Sequence, residues 1–414
     1  MKKSTLSPIL SLVFLSAGTL LPQGERSDLT ERARRLHFAS IVLDTHVDTT
    51  LRLKRSDWTF TRRHSPMPPD LPSVPEALGQ EGHVDLPRLK EGGLNALFFG
   101  VVVRGTVTGA QAVNDALEQI AAVHKLAEEL PGEIALCASA AEVRAARSDG
   151  KIAALIGLEG GHMINNSLPV LRMYRKLGVR YITLTHFYHT DWADSSGQPP
   201  AHNGLTSFGR EVVREHNRIG MIIDISHVSD KTFWDVLEAS SAPLIASHSS
   251  CRAIAGHVRN MSDEMIRALA RKGGVIHINY NTPYLDEANM RYWSRTRERE
   301  QQLARELPGT HNEVKWREQI LREFGPAPKV TWEKIVDHID HVVQIAGIDH
   351  VGLGSDFDGA TMPRGMEDVS KLPKITEGLM RRGYKDADLK KVLGENTLRV
   401  MEEVDRAAAR ERRQ

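Results

Sequence analysis

Seven side chains in this sequence have the types and places that metal-assisted chemistry requires. His46 and Asp48 stand two apart in IVLDTHVD, Glu159 closes the apolar run of AALIGLEGG, and His186 ends YITLTH. His227 and His248 end GMIIDISH and PLIASHSS, and Asp356 lies in HVGLGSDFDG. Imidazole nitrogens and carboxylate oxygens in such a mixture suit Zn²⁺ or another divalent cation. A divalent cation with a nearby proton carrier is the equipment of a hydrolase that activates water.

Each group also has a plainer reading. A lone His-x-Asp is more often a surface His beside a helix-capping Asp. In a strand, however, residues two apart share a face, so His46 and Asp48 would point the same way. Glu159 ends a nearly all-apolar run, where an unpaired carboxylate is costly; a salt bridge to a loop Arg or ligation would each relieve it. As a ligand it could bridge two cations, one oxygen to each. His227 and His248 stand in similar frames, DISH and IASH, and on neighbouring strand ends they could share one ion. Asp224 and Ser249 are candidates to fix their tautomers.

Asp356 follows small glycines and is placed for proton transfer, from water and then to a leaving amine. Asp358 reads as structural, since the other positions of a calcium loop are absent. His186 is either a core imidazole or a donor to a developing oxyanion. Arg259, in HVRNMSD, is either a solvated charge or a bidentate clamp for a substrate carboxylate. His162, His189, His202, His216, His257 and His277 are read as structural.

The elements that must position these groups follow from the apolar pattern. Eight runs of strand length alternate with helix-period segments, and polar side chains gather at one end of the runs. That predicts an α/β chain with a (β/α)₈ TIM-type barrel of the metal-dependent hydrolase kind, with the site at the C-terminal mouth. The expected strands are 41–48, 94–103, 153–159, 181–186, 220–227, 243–250, 273–280 and 350–356. A doubly wound sheet would show a glycine fingerprint after the first strand, and LDTHVDTT has none. Residues 54–86, rich in Pro, Arg and Ser, read as a long loop beside the mouth. A charged segment at about 283–328 reads as a helical insertion into one domain spanning 29–410.

Composition sets bounds. With 414 residues, 41% hydrophobic and 26% charged, the chain supports a sizeable core. A net charge of +1 gives no global field for nucleic acid or a membrane surface. Cys137 and Cys251 form no metal-binding spacing; they are buried thiols or one disulfide. Lys2 and Lys3 precede an apolar stretch from Ile9 to Leu21, which predicts a signal peptide over 1–25 with no defined cleavage site, and hence export to the periplasm or outside. The charged C-terminus predicts no lipid anchor. HExxH, P-loop, G-x-S-x-G and deaminase motifs are absent.

In this order the motifs resemble the renal (membrane) dipeptidase family, metallopeptidase family M19 of the amidohydrolase-like barrels. The segments that carry the likeness are LDTHVDTT, LIGLEGGHMI, LGVRYITLTHFYHTDWADS, NGLTSFGREVVREHNRIGMIIDISHVSD, IASHSSCRAIAGHVRNMSDEMI and IDHVGLGSDFDG, together covering about 40–400. The resemblance implies two zinc ions per chain, one held by His46 and Asp48, the other by His227 and His248, with Glu159 bridging. It implies that His186 polarises the substrate, Arg259 binds the dipeptide carboxylate and Asp356 is the acid/base. The implied reaction is hydrolysis of a dipeptide by a metal-bridging hydroxide, and family analogy adds a homodimer. Val47 replaces the Asn that often separates the first His and Asp in the family. Alternatives are a lactonase, phosphotriesterase or amide-ring hydrolase on the same barrel, or a non-catalytic exported dipeptide-binding protein.

Overall fold

The computed structural model describes residues 23–65, 82–306 and 313–413. The signal-peptide expectation falls on residues 1–22, outside that set, apart from its last three positions, which open the helix Gln23–Ala39. Part of the expected 54–86 loop, residues 66–81, also lies outside it.

The described strands are β1 (Leu43–Val47), β2 (Ala96–Val102), β3 (Ile134–Leu136), β4 (Ile152–Glu159), β5 (Val179–Thr183), β6 (Ile222–Asp224), β7 (Ile245–Ser249), β8 (Val275–Ile278) and β9 (Val351–Leu353). All pair in parallel. β2 joins β1 to β4, the ladder continues through β5, β6, β7 and β8 to β9, and β9 returns to β1 at Asp44↔Leu353. The result is a closed eight-stranded barrel, the expected TIM-type fold. β3 is an addition: it pairs with the start of β4, from Ile134↔Ile152 to Leu136↔Ala154, before β5 takes over that edge at Ile156. Three residues carry no readable periodicity, so the sequence pattern passes over it.

Parallel strands covered on both faces must be apolar throughout, and β2 (ALFFGVV) and β4 (IAALIGLE) are buried along nearly their whole length. The surrounding helices bury one face each: Ser207–Ile219 buries Val212 and Val213, and Asp263–Arg271 buries Met265, Ile266 and Leu269. Thr206, Ser229 and Ser262 cap the helices they precede, their side-chain oxygens accepting from the N–H of Gly209, Thr232 and Met265. The polar residue that closes each loop therefore also starts the next helix.

Inside the barrel, Leu43, Phe98, Leu155, Tyr181, Ile222, Ile245 and Val275 pack on each other and on Leu398, Met401 and Val404 near the C-terminus. The last three belong to the helix Asn396–Glu411, which seals the lower end. Leu43 joins this inner layer, whereas Val47, four residues on, packs in the outer one. Strict alternation would put both on the same side. The pairing shifts between Asp44 and Val47, and that irregularity resets the strand just before the mouth.

Two helices, Glu287–Glu306 and Glu313–Phe324, stand between β8 and β9, joined by Arg299–Glu323 contacts down to 3.0 Å. The loops after β1 and β9 are tied by Asp358, which reads as structural from sequence and is fully buried. It accepts from the N–H of His83 (2.7 Å) and the hydroxyl of Thr49 (2.6 Å), and lies 3.2 Å from Arg52 Nε. Both members of the Arg52–Asp358 pair are about 1% exposed. Removing one partner of a buried pair strands the other charge. Urea unfolding of Arg52→Met is expected to report a loss of about 3–5 kcal/mol.

Candidate metal centre

The barrel delivers the seven predicted side chains to one mouth, by two routes. His46 and His248 lie within β1 and β7, Glu159 is the last residue of β4, and Asp48 follows β1 directly. His186, His227 and Asp356 do not end their strands as the apolar runs suggest; each lies three residues further on, beyond Thr183, Asp224 and Leu353. At two of these positions the cause is visible. His227 (φ +66°) and Asp356 (φ +64°) adopt the left-handed conformation, which cannot extend a β ladder. Such strain in non-glycine residues persists only where the surroundings enforce it.

Glu159 is the centre of the arrangement. Its Oε1 lies 2.9 Å from His227 Nε2, 3.2 Å from His248 Nε2 and 3.6 Å from His186 Nε2. Its Oε2 lies 3.6 Å from His46 Nε2, which is 3.4 Å from Asp48 Oδ1. Three overlapping sets have ligand atoms within 4.8 Å of one another: His46, Glu159 and His248; Glu159, His186 and His227; His46, Asp48 and Asp356. His46 Nε2 and Asp48 Oδ1 are buried with no hydrogen-bond partner among the described residues. Orphaned buried polar atoms are rare, and these two face one another across a gap where a cation would satisfy both.

Neighbouring groups fix which imidazole nitrogen is free. The Tyr181 hydroxyl donates to Thr45 O (3.0 Å), so at 2.7 Å it accepts from His46 Nδ1. The Ser247 hydroxyl donates to Asp224 Oδ2 (2.6 Å), so at 2.7 Å it accepts from His248 Nδ1. In both rings Nδ1 is therefore the nitrogen committed to the protein, and Nε2 is the one turned toward Glu159, where a metal ligand needs it. Asp224 acts on His248 through Ser247. Ser249 bonds instead to Ser226 Oγ (3.2 Å), which accepts the His248 backbone N–H.

Space for these rings is left by glycine. Gly100, Gly157 and Tyr181 lie in register across β2, β4 and β5. A Cβ on Gly157 would meet the Tyr181 ring at 2.1 Å, and one on Gly100 would meet His46 and Asp48 at 3.0–3.1 Å.

Beside the cluster opens a cleft of about 760 Å³ bordered by Arg259. Arg259 is 5% exposed; its Nη2 donates to His248 O (3.1 Å), and its Nε has no partner among the described residues. Asp356 Oδ2 accepts from Asn279 Nδ2 at 2.9 Å. Sequence reasoning missed Asn279, Tyr181 and Tyr284, whose ring lies 5.6 Å from the Arg259 guanidinium carbon. An Asn inside the apolar run VIHINY was the available signal for the first. The tyrosines read as ordinary core. His257, read as structural, borders the cleft, its ring tilted against that of Tyr284 with centroids 4.5 Å apart.

Residues 30–414 match the model of the membrane dipeptidase family, peptidase family M19. The chain belongs to that family. It is 37% identical over 340 residues to dipeptidase tcpJ of Claviceps purpurea, covering 79% of this chain and 71% of that one. Among solved structures it resembles the probable dipeptidase PvdM of Pseudomonas aeruginosa (TM-score 0.76, 25% identity, 92% of this chain and 100% of that one). It also resembles a Rhodobacter sphaeroides metallopeptidase bound to a phosphinate mimic of L-Ala-D-Ala (TM-score 0.70, 27% identity, 88% and 99%). It is thus an enzyme of a metallopeptidase family, and the donors at its mouth fit the metal ions that family implies.

Burial and the crowding of like groups set the electrostatics of this M19 site. Burial alone would raise Glu159, but His186 and His46, with His227 and His248 close against it, hold it well below the ordinary carboxylate range. Burial, opposed by His46 and reinforced by Glu159 and Asp356, pushes Asp48 up to about 8. Burial lowers His227, with Arg259 adding to it, and lowers His248, with His46 adding to it. In the cation-free protein Asp48 thus keeps a proton below about pH 8, and a metal must displace it. Uptake of a divalent ion at pH 7 is expected to release protons, seen as heats in isothermal titration that scale with buffer ionisation enthalpy. Apparent affinity should climb from about pH 6 and level off above about pH 8; a flat profile would contradict the assignment of Asp48.

Proposed function

We propose that this chain is a zinc-dependent dipeptidase that hydrolyses the single peptide bond of a dipeptide. The observation that carries the reading is the convergence of His46, Asp48, His227 and His248 on Glu159, with Arg259 on the adjoining cleft. His46 and Asp48 would hold one ion, His227 and His248 the other, and Glu159 would serve both. When bound, the ions would supply Lewis acidity and make water a nucleophile near neutral pH.

The chain's own groups do the rest. Arg259 has a buried, unpartnered Nε and a fork that matches a carboxylate bidentately, so it binds the free C-terminus and sets substrate length. His186 is held below the usual imidazole range, by burial first and then by Arg259 and His46, against Glu159. It is therefore a neutral donor that hydrogen-bonds the carbonyl oxygen as negative charge develops there. Asp356 has Oδ2 held by Asn279, leaving Oδ1 to take the proton from water and pass it to the amine nitrogen as the C–N bond breaks. The phosphinate ligand of the Rhodobacter sphaeroides relative is tetrahedral at phosphorus, the shape a peptide carbon takes when water adds, and supports the same chemistry here. Lactonases and phosphotriesterases on this barrel often place a carboxylated Lys where Glu159 stands, which favours the dipeptidase over them. The amino-terminal segment around Lys2, Lys3 and Ile9–Leu21 supports export, which N-terminal sequencing of the protein recovered outside the cytoplasm would test.

Kinetics on a simple L,L- and L,D-dipeptide panel tests the roles. Arg259→Ala should raise KM by at least about tenfold through loss of a buried charge contact. Asp356→Asn should lower kcat by about 10²–10⁴ through loss of proton transfer. Both variants should keep wild-type zinc content by mass spectrometry. Full activity after exhaustive chelation would overturn the reading.

A further inference from the structure

The helix Glu287–Glu306 carries several arginines, and they are not equivalent. Arg291 pairs with Glu287 (2.8 Å) and Arg299 with Glu323 (3.0 Å), while Arg295 lies over the Phe324 ring. Arg297 has no ion pair among the described residues. Its guanidinium carbon sits 4.7 Å from the centre of the Trp293 ring, and both residues border the cleft that Arg259 opens onto. Stacking on Trp holds a guanidinium in place without neutralising it.

The described lining of that cleft has a one-sided charge. Its ionised side chains are Arg259 and Arg297, with no Asp or Glu among them. Glu287, at the edge, is engaged by the Gly256 N–H (2.8 Å) and by Arg291. His257, between Tyr284 and Trp293, adds no charge at neutral pH, because burial and then the nearby guanidiniums push it down to about 3. A dipeptide bound as proposed above offers one carboxylate to Arg259. The second cation is then left without a partner unless the ligand brings another anion.

Resting on the dipeptidase reading, we infer that Arg297, shelved on Trp293, selects dipeptides whose second residue carries an acidic side chain. The α-carboxylate of that residue engages Arg259, and its side-chain carboxylate reaches outward to Arg297. Recognition of an acid over its amide therefore resides on the helical insertion and not on the barrel.

Ala-Glu and Ala-Gln differ by charge at nearly constant shape and make the test. For the zinc-loaded wild type, kcat/KM for Ala-Glu should exceed that for Ala-Gln by about threefold to fivefold, the worth of a partly exposed ion pair. The difference should lie in KM and shrink with added salt. In Arg297→Met the ratio should approach one, and in Arg297→Glu preference should move toward Ala-Lys. Equal kcat/KM for the two peptides in the wild type, or a ratio unchanged in Arg297→Met, overturns acidic selection alone. Cleavage of neither peptide by zinc-loaded enzyme overturns the dipeptidase reading, and this inference with it.

Discussion

Glu159 brings a negative charge to a place almost without water, and four imidazole nitrogens lie within 3.6 Å of its two oxygens. A buried carboxylate is tolerable only with charge or hydrogen bonds to meet it. Yet the imidazoles around it are themselves driven toward neutrality by burial, as at His186, His227 and His248. The cluster balances by drawing in protons at Asp48 and His46, or by admitting cations in their place. Everything else at the mouth is arranged around that unresolved charge.

The barrel supports it through backbone placement and hydrogen-bond direction more than through bulk. Left-handed turns at His227 and Asp356 swing side chains inward after their strands have ended. Tyr181 and the Ser247–Asp224 pair commit one nitrogen of His46 and of His248 to the protein, so the other is available. These groups do no chemistry, but the ligand set has no defined protonation state without them.

Much of this was legible before any coordinates. Parallel strands must be apolar on both faces, so runs such as AALIGLE announce themselves, and a carboxylate closing one is conspicuous. The seven side chains of the cluster stood out because polar groups at strand ends are uncommon and costly. What could not be read were features that depend on position in space. β3 is too short to show a period. The break in alternation at β1 leaves no mark in composition. Tyr181 looks like any core aromatic until the register with Gly157 places its hydroxyl under His46. Likewise, the helical insertion reads as a charged excursion, and only its packing brings Trp293 and Arg297 to the cleft.

The sealed lower end of the barrel has a kinetic consequence. Among the described residues, Leu398, Met401 and Val404 close the lower end of the interior against Leu43, Phe98 and Leu155, which leaves the mouth that carries the cluster as the way in. Both amino acids released by a turnover must leave through the door by which the next peptide arrives. On the proposed role of Arg259, the fragment held by its terminal carboxylate would occupy the seat the newcomer needs, so traffic at the rim, as much as bond breaking, would govern throughput at high substrate concentration.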